Sequence, residues 1–457
     1  MISYLHLKNF KSFSDIFLDL RGAHGIPKHV AFIYGENGAG KSNLMLSLLF
    51  LLQTFETIGN QESVKNFMDF KEELLRESDD DGFNEIQQNF VNELARRSFF
   101  SLSDIIKRYK MLNSAESLVL EIGFYVNKRN GSYRLECSHD RVISESLTYW
   151  IEKRSGTVFS IDENRVMLSP RIFFDRSYYR ELTENIEKYW GKHTFLAILK
   201  DELDGKNHSY IEKKIRKSLL DIMTWFSGLA VWHKGGQYES VKIKLPKGLL
   251  YELGSGRIKD KNSTELKMSE EILNQFFTQM YSDIKQAYYA IEPVKRDFRY
   301  ELHFKKMIEG TVIDIPISQE STGTQKLLNI FPFLVAGFEK VVCVDEIDSG
   351  IHDILMKVLI ENLMDITKGQ LIVTTHNTLL LESLPHDNIY VISIDAKGAK
   401  NIECIKNYPE RIQRTNNVRN KYLRGDYGGI PITEFVDFSI IAETMKMANV
   451  NHYPEGE

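Results

Sequence analysis

The 457-residue sequence contains few cysteines, and they lie far apart. Cys137, Cys343 and Cys404 form neither an even set for disulfides nor a CxxC pair for a metal. The sequence therefore does not fit a small disulfide-stabilised scaffold, and the pattern favours a reducing compartment. We expect a cytoplasmic protein.

The sequence also lacks a long apolar run. Its longest apolar stretches, near Leu44–Leu52 and Leu327–Phe338, are well below the roughly 18 residues that a membrane-spanning helix requires. Met1–Phe13 has no charged segment followed by an apolar core, so a signal peptide is not expected. We therefore predict a soluble protein without a membrane partner.

Neither sign of charge dominates the composition. Lys and Arg number 58, and Asp and Glu number 63, which gives a formal net charge of −5. This balance disfavours a uniformly basic nucleic-acid-binding protein, although it allows a local basic patch. Sustained heptads are absent as well, which argues against the long coiled-coil arms of a DNA tether.

The apolar pattern of the sequence predicts an α/β protein. The predicted elements are strands at Ile2–Leu7, Ile16–Leu20 and Val30–Tyr34, a helix over Ser42–Phe55, an antiparallel β-meander over 117–168 with a turn at Asn130-Gly131, and two buried strands, Val341–Val344 and Leu371–Thr374, separated by a helix over Ile354–Met364.

The same pattern divides the chain into a discontinuous core and three other parts. The core has α/β character, whereas the segments between its pieces are polar and rich in helix-forming residues. The predicted parts are a core of 1–55, 117–168 and 312–400, a helical insertion over 56–116, a helical lobe over 171–311 and a C-terminal tail over 401–457.

The segment Gly35–Ser42 matches the phosphate-binding pattern G-x-x-x-x-G-K-[ST] between a predicted strand and a predicted helix. Glycines allow backbone N–H groups to curl around phosphate oxygens, and the helix N-terminus adds its positive dipole end. In this pattern Lys41 neutralises the β- and γ-phosphates, and the Ser42 hydroxyl ligates Mg²⁺. The residues expected to bind ATP in this loop are Gly35, Asn37, Gly38, Gly40, Lys41 and Ser42.

Two carboxylates follow the predicted strand Val341–Val344. Asp345 is expected to hold Mg²⁺, usually through water, and Glu346 to activate the attacking water as a general base. The next predicted strand delivers His376 to the same sheet edge, where it can contact the γ-phosphate and the attacking water. Together with the phosphate-binding loop, these residues predict a site for ATP hydrolysis.

Glu320–Lys326 immediately precedes another predicted helix. Ser321 and Gly323 can present a hydroxyl group and backbone N–H groups to a phosphate at a helix N-terminus. The same residues would also suit a simple N-cap, and the segment alone does not decide between the two interpretations.

These motifs occur in the order found in ABC-type ATPases of the SMC, Rad50 and RecF group, and the chain resembles that group. Asp348–His352 extends the carboxylate motif to DEIDSGIH, and the opening Leu7–Phe13 resembles the group's NF-x-S-F start. The tail Tyr422–Pro431 is similar to tails in the branch of overcoming-lysogenization-defect (OLD) heads and stand-alone phage-defence ATPases, AAA15/AAA21. Within that branch the ATPases of the PARIS anti-phage system are the nearest candidates, and Septu-type ATPases are close competitors.

The resemblance implies the α/β fold of an ABC-type ATPase head: a P-loop, a mixed sheet with an antiparallel β-meander and large helical insertions. It implies ATP and Mg²⁺ as cofactors, with ATP sandwiched between the heads of a dimer or higher homo-oligomer. Ser321, Gly323 and Thr324 would then face the partner's P-loop, and Asp348 would lie at the dimer seam. The residues that the resemblance adds to the ATP-binding set are Lys11 and Asn43.

Two features depart from the pattern of that group. The glutamine of the Q-loop is not assigned, because Gln53, Gln61 and Gln87 all lack a convincing context. The signature begins Glu320-Ser321-Thr322 in place of Leu-Ser-Gly-Gly, which weakens the assignment of each signature residue.

The sequence after His376 shows no nuclease motif. It has no strand that ends in Glu-Gly before an Asp-x-Asp pair, as a Toprim nuclease requires, and no HNH-like histidine cluster; Glu455-Gly456 has no strand before it. The resemblance then implies a sensor and scaffold ATPase of an anti-phage system that controls a separate effector nuclease of Toprim or HNH type. The lobe over 171–311 would sense the signal or bind the partner, and a phage-encoded trigger protein would be a further partner.

Two other functions stay open at this point. The same motifs suit a RecF-like DNA-repair ATPase, which the acidic balance disfavours. They also suit an OLD-like nuclease with an unrecognised metal site.

Two basic clusters allow more than one interpretation. The cluster over 295–306 alternates with apolar residues and predicts a β-hairpin surface that either binds phosphate or faces solvent. The cluster over 411–424 forms either a docking surface or a solvated helix face. Direct binding of nucleic acid is therefore left undecided.

Overall fold

The computed structural model describes residues 1–59, 100–206, 208–235, 238–243, 248–294, 297–408, 417–431 and 436–450. The strands of the described chain form two seven-stranded sheets and a smaller four-stranded sheet, and helices pack between and around them. The N-terminal sheet is antiparallel, and the second sheet is parallel at its centre.

The N-terminal sheet has the strand order β2-β1-β4-β5-β6-β7-β8, with antiparallel neighbours throughout. Alternate residues along much of β1, β2 and β6 are buried, as expected when one face packs on a core. The β-meander predicted over 117–168 is confirmed. The strands of this sheet are β1 (Ile2–Phe10), β2 (Phe13–Asp19), β4 (Leu118–Val126), β5 (Arg129–Cys137), β6 (Val142–Ile151), β7 (Arg154–Asp162) and β8 (Arg165–Leu168).

The first turn of the meander lies three residues before the predicted one. Val126 pairs with Arg129, so Asn127 and Lys128 form a two-residue turn, and both have positive φ (50° and 60°). Asn130-Gly131, the predicted turn, lies inside β5. A Cβ on Gly131 would lie 2.4 Å from the Phe124 ring, so this glycine serves packing across the strands.

The second sheet has the order β10-β9-β15-β16-β3-β17-β18. Its central strands, from β9 to β17, run parallel, and the two edge strands run antiparallel to their neighbours. Parallel strands covered on both faces are continuous apolar runs, and this explains why β3, β15 and β16 were predictable. The strands are β3 (Val30–Gly35), β9 (Ala230–Gly235), β10 (Tyr238–Lys242), β15 (Val341–Val344), β16 (Gln370–Thr374), β17 (Ile389–Ile394) and β18 (Lys400–Cys404).

The parallel sheet separates two hydrophobic cores. Ala31 and Ile33 of β3 face one core, and Phe32 and Tyr34 face the other, because successive side chains of a strand point to opposite faces. The first core includes helix α1 (Lys41–Thr54), which is buried on nearly all sides. The helices of the second core include α7 (Thr264–Met280), α8 (Thr322–Ala336) and α9 (Asp353–Ile366).

The lobe predicted as helical over 171–311 is only partly so. Strands β9 and β10 of this segment join the parallel sheet, and a four-stranded sheet follows, in which β11 and β12 flank β13 and β14 also pairs with β13. The alternation in 298–304 that predicted a hairpin belongs to β13. The helices of the segment are α3 (Arg176–Tyr189), α4 (Phe195–Gly205), α5 (His208–Glu212), α6 (Lys217–Ser227) and α7, and the strands of the small sheet are β11 (Ser255–Ile258), β12 (Ile284–Val294), β13 (Asp297–Ile308) and β14 (Thr311–Pro316).

The structure describes only parts of the predicted insertion and of the predicted tail. In the insertion predicted over 56–116, helix α2 (Leu102–Tyr109) begins at a capping box of Ser101 and Asp104. Gln61 and Gln87 lie outside the described residues, as do 295, 296 and 411–416 of the basic clusters. The tail contributes α10 (Val418–Arg424) and α11 (Phe438–Val450). In the described part of the chain, no helix is both long and apolar enough to cross a membrane.

Candidate nucleotide-binding and hydrolysis site

Three loops meet at the carboxyl edge of the parallel sheet. Strand β16 lies between β15 and β3, so the segments that follow these strands are neighbours although they are distant in sequence. The P-loop follows β3, Asp345 and Glu346 follow β15, and His376 follows β16. This edge is where ligands bind in open α/β sheets.

Glycines are required in the P-loop for two physical reasons. Gly38 and Gly40 have φ of 84° and 107°, a region that costs other residues roughly 1–2 kcal/mol. A Cβ on Gly40 would also lie 2.6 Å from the ring of Phe13. Helix α1 begins directly after Gly40 without a side-chain cap, so its first N–H groups are directed to the loop, as an anion site requires.

The Lys41 side chain is buried within its own loop. Its Nζ donates hydrogen bonds to the carbonyl oxygens of Gly35 (2.8 Å) and Glu36 (3.0 Å). Burial lowers the pKa of Lys41, while the carboxylates of Asp345 and Glu346 act in the opposite direction. The amine is therefore held next to the carboxylates that follow β15.

The Asp345 side chain is fully buried and held by several donors. His233 Nδ1 lies 2.8 Å from Oδ2 and Thr374 Oγ1 donates to Oδ1 at 2.6 Å, while the nearby Ser42 hydroxyl also lowers the pKa of this carboxyl group. Burial alone would raise the pKa of Asp345, but hydrogen bonds from His233 and Thr374 outweigh it and lower the pKa. Asp345 is therefore ionised at neutral pH and fixed in one orientation.

Glu346 has a left-handed backbone conformation, with φ of 45°. Its N–H donates to Thr374 Oγ1 at 2.7 Å, the same hydroxyl that donates to Asp345. A non-glycine residue in this region stores about 1–3 kcal/mol of strain, which persists where surrounding contacts determine it. Thr374 thus aligns both acidic residues, a role that the sequence pattern did not reveal.

His376 and Asp348 lie together at this edge. The backbone N–H of His376 donates to Asp348 Oδ2 at 3.2 Å. Partial burial and the nearby Lys41 cation lower the pKa of His376, so its imidazole is neutral at pH 7. Asp348, predicted at a dimer seam, thereby connects to the loop after β16 within the same chain.

The signature residues form an N-cap of α8. Ser321 Oγ accepts the N–H of Thr324 at 3.2 Å and lies 2.9 Å from the Thr324 hydroxyl. A Cβ on Gly323 would lie 2.6 Å from the carbonyl oxygen of Gly350, so Gly323 packs directly on the loop that carries Asp348. Among the hydrogen bonds of the described residues, none joins Ser321 or Thr324 to the P-loop of the same chain.

Two further residues that were predicted to bind ATP, Asn43 and Lys11, lie in or against the turn between β1 and β2. Asn43 Nδ2 donates to Ser12 Oγ at 2.8 Å, which places Asn43 against the turn between β1 and β2. Lys11 lies in that turn with φ of 51°, but its Nζ is 5.5 Å from the centre of the Tyr109 ring on α2. Contact of Lys11 with nucleotide stays a prediction.

The C-terminal tail packs beside the P-loop. In the sequence, this tail stood out only through its similarity to the tails of related ATPases. The Tyr422 hydroxyl donates to the carbonyl oxygen of Gly429 at 3.0 Å, and the Tyr422 ring lies 5.6 Å from that of Tyr34, the residue before Gly35. A Cβ on Gly429 would lie 3.4 Å from the Gly35 Cα and 2.4 Å from the Val391 side chain. Residues 422–429 therefore pack against the start of the P-loop.

The donor set suits Mg²⁺ held jointly by protein and phosphate. The described residues contain no cluster of three or more His, Cys, Asp or Glu side chains arranged for a metal. Ser42 and Asp345 supply two adjacent oxygen donors, and Mg²⁺ is commonly held by one or two such groups together with substrate phosphates. Bound there, the ion would neutralise charge on the phosphates.

Comparison with known proteins is consistent with this site. The family model described as AAA ATPase domain, AAA_15, matches residues 1–381. A Helicobacter pylori (strain ATCC 700392 / 26695) protein named ATP/GTP phosphatase is 21% identical over 392 residues, which cover 84% of this chain and 87% of that protein.

Solved structures of SMC heads give low similarity scores. An SMC head bound to the C-terminal winged-helix domain of ScpA is 16% identical, with a TM-score of 0.39 over 88% of this chain and 97% of that chain. The SMC head domain from Thermotoga maritima is 14% identical, with a TM-score of 0.38 over 88% and 98%. A head with an extended coiled coil, bound to the C-terminal domain of ScpA derived from Pyrococcus furiosus, is 15% identical, with a TM-score of 0.37 over 88% and 95%.

The sheet topology and the P-loop edge agree with the α/β fold expected of an ABC-type ATPase head. The family match covers most of the chain and includes the P-loop, both acidic residues after β15 and His376. The chain is therefore an ATPase, and it belongs to the AAA_15 family of AAA ATPase domains.

Proposed function

We propose that this ATPase hydrolyses ATP with Mg²⁺ at the carboxyl edge of the parallel sheet. The observation that carries the proposal is the shared hydroxyl of Thr374, which donates to Asp345 and accepts the N–H of Glu346. One strand end thereby orients a metal-binding carboxylate and a carboxylate for general base catalysis, next to the P-loop lysine.

Each residue at this edge has a proposed role. Lys41 and the N–H groups of the P-loop bind the β- and γ-phosphates, and Ser42 with Asp345 holds Mg²⁺. Glu346 takes a proton from the attacking water, and the neutral imidazole of His376 contacts the γ-phosphate and that water.

We further propose that each site is completed by a second copy of the chain. Ser321, Gly323 and Thr324 would present the N-terminus of α8 to ATP on the partner's P-loop. Gly323 packs on Gly350, and Asp348 binds the backbone of His376, so the signature and the hydrolytic loops form one continuous surface. The expected assembly is a dimer or a ring of dimers, and an isolated monomer would hydrolyse ATP slowly.

The biological role that we propose is that of a sensor and scaffold subunit in an anti-phage system. The similarity of its tail to stand-alone phage-defence ATPases supports this role, with PARIS-type ATPases as the nearest candidates and Septu-type ATPases as competitors. Residues 422–429 of this tail pack on the P-loop, so tail and nucleotide site are physically connected. The partner would be a separate effector nuclease of Toprim or HNH type, released or activated on contact with a phage-encoded trigger.

A RecF-like role in DNA repair is the second candidate. The basic cluster over 295–306 would be its DNA contact, but Lys306 is engaged by Glu320 (3.0 Å) and Asp283 (3.2 Å). The engaged lysine reduces the positive charge that this surface could offer to phosphate.

The test is capture of partners from the native host with a tagged Glu346→Gln chain in the presence of ATP. Lys41→Ala serves as the matched control, because it should not form the ATP-bound assembly. A co-purifying protein that shows metal-dependent nuclease activity, absent from the Lys41→Ala sample, is the expected result. Recovery of DNA and repair proteins without a nuclease would contradict the defence role and favour the RecF-like one.

A further inference from the structure

A second lysine contacts the P-loop from the far end of the chain. Lys400 is the first residue of β18 and lies beyond residue 381, where the family match ends. Its Nζ donates to the carbonyl oxygen of Gly38 at 2.6 Å and lies 2.7 Å from Ser12 Oγ. The side chain thus bridges the P-loop and the turn between β1 and β2.

The contacts of Ser12 extend this bridge to helix α1. Ser12 Oγ is bonded by Lys400 Nζ and also by Asn43 Nδ2, at 2.8 Å, from the first turn of α1. Lys400 Nζ is 5.8 Å from the centre of the Phe13 ring, the ring that closely approaches Gly40. Lys400 therefore stands at the side of the loop where α1 begins.

The charge of Lys400 lacks a strong anionic partner. Its two hydrogen-bond acceptors are neutral oxygens, and among the ion pairs of the described residues none includes Lys400. Burial lowers the pKa of Lys400, and the carboxylate of Glu36, within the P-loop, acts in the opposite direction. A half-buried ammonium group without a paired carboxylate is costly unless an anion binds beside it.

We propose that Lys400 is a second phosphate-binding cation of this site, acting on the α- and β-phosphates of a nucleoside di- or triphosphate. Strand β18 and strand β15, which precedes Glu346, lie on opposite sides of β3 in the sheet. Lys400 therefore approaches the P-loop from the side away from Glu346, which serves the γ-phosphate. The inference rests on the proposed nucleotide site at the P-loop. It assigns part of that site to a strand that follows the family-matched region.

This assignment predicts an effect on binding rather than on the chemical step. A charge-assisted hydrogen bond contributes enough that its loss should weaken binding roughly tenfold. ADP and ATP should lose affinity equally, because both carry the α- and β-phosphates. KM for ATP should rise by a similar factor, and kcat should stay near that of the wild type.

The experiment measures the Kd of ADP and of ATP by calorimetry with the full chain, alongside kcat and KM. Lys400→Met keeps the alkyl chain near Phe13 and removes only the charge, and Lys400→Arg should restore binding. Lys397→Met is the matched control, because Lys397 is an exposed lysine on the turn just before β18. Lys41→Ala tests the site itself and should abolish binding of both nucleotides.

The outcomes distinguish a wrong role for Lys400 from a wrong assignment of the nucleotide site. If Lys41→Ala abolishes binding but Lys400→Met binds as tightly as the wild type, the role of Lys400 is wrong and the nucleotide site stands. If Lys41→Ala still binds nucleotide, the site itself is wrong. If Lys400→Met fails to fold, Lys400→Gln replaces it, and equal Kd values for Lys400→Gln and Lys397→Met overturn the inference.

Discussion

The imidazole Nδ1 of His233 lies 2.8 Å from the carboxylate Oδ2 of Asp345, and both side chains are buried. His233 is on β9, next to β15 in the sheet, and the backbone N–H of Asp345 donates to the carbonyl oxygen of Trp232 at 2.9 Å. The proposed metal-binding carboxylate is thus fixed by a strand from the middle of the chain. His233 is a positioning residue, since it acts through Asp345.

Replacing His233 with Ala should impair the use of Mg²⁺. Asp345 would lose a hydrogen bond that orients it, and loss of such a partner commonly costs about 10–100-fold in metal affinity or activity. We expect the Mg²⁺ concentration for half-maximal ATPase activity to rise by that factor. His303→Ala is the control, because His303 pairs with Asp314 on the small sheet. An unchanged Mg²⁺ dependence would show that His233 is only structural.

Glu346→Gln should bind ATP and fail to hydrolyse it. The amide keeps the size of the side chain but cannot accept a proton, and loss of a general base typically costs about 10²–10⁴-fold in kcat. Single-turnover hydrolysis and ATP affinity should therefore separate, with affinity close to that of the wild type. Glu339→Gln, an exposed residue before β15, is the control. Hydrolysis at the wild-type rate by Glu346→Gln would refute the assignment of the base.

Gly323→Ala should uncouple nucleotide binding from hydrolysis. The new Cβ would lie 2.6 Å from the Gly350 carbonyl oxygen, so the signature must move away from the Asp348 loop. We expect ATP affinity at the P-loop to persist and kcat to fall at least about tenfold. Gly205→Ala, at the end of α4 with open space around it, should leave both unchanged. An equal loss of kcat in Gly323→Ala and Gly205→Ala would indicate general destabilisation and contradict the role of the signature.

Stability should depend on pH through Glu145, a fully buried carboxylate of β6. Burial raises its pKa to about 7 from an ordinary 4.5, although Tyr133, Trp190 and two backbone N–H groups donate to it. Because the folded pKa exceeds the unfolded one, this contribution is complete below pH 4.5 and is lost as pH rises toward 7. Thermal unfolding should show a falling Tm across that window.

The matched variant for this effect is Glu145→Gln. It should flatten the pH dependence of Tm between about 4.5 and 7, because the amide does not titrate. Glu136→Gln, on the neighbouring strand and partly exposed, should retain the slope of the wild type. If the pH dependence of Tm persists in Glu145→Gln, another titrating group causes it.

The parts of the site that were predictable from the sequence are local. The P-loop is contiguous, and β3, β15 and β16 are short apolar runs that lead directly into site residues, so strand and site residue appear together. The predicted bounds of β15 match the structure, because Val341–Val344 is buried on both faces and leaves no polar residue to shift the boundary.

The parts that were missed depend on distant pairings. His233 and Lys400 reach the site from strands whose place in the sheet no local pattern reveals, and Tyr422 approaches the start of the P-loop from the C-terminal tail. Most of the small sheet lies in the lobe over 171–311 that was predicted as helical. Only the hairpin over 295–306 was expected there, from the period-two alternation that belongs to β13. The preference of Asn-Gly for turns misplaced the first hairpin, where Asn127-Lys128 adopts positive φ instead.

The most direct measurement mixes two inactive variants, Lys41→Ala and Ser321→Ala, and follows ATP hydrolysis. In a sandwich dimer each variant alone has two defective sites, but a mixed dimer has one site with an intact P-loop and an intact signature. An equal mixture should recover up to about a quarter of wild-type activity, since half of the dimers are mixed and each has one working site. Activity no higher than the sum of the separate variants would contradict composite sites and place the whole hydrolytic machinery within one chain.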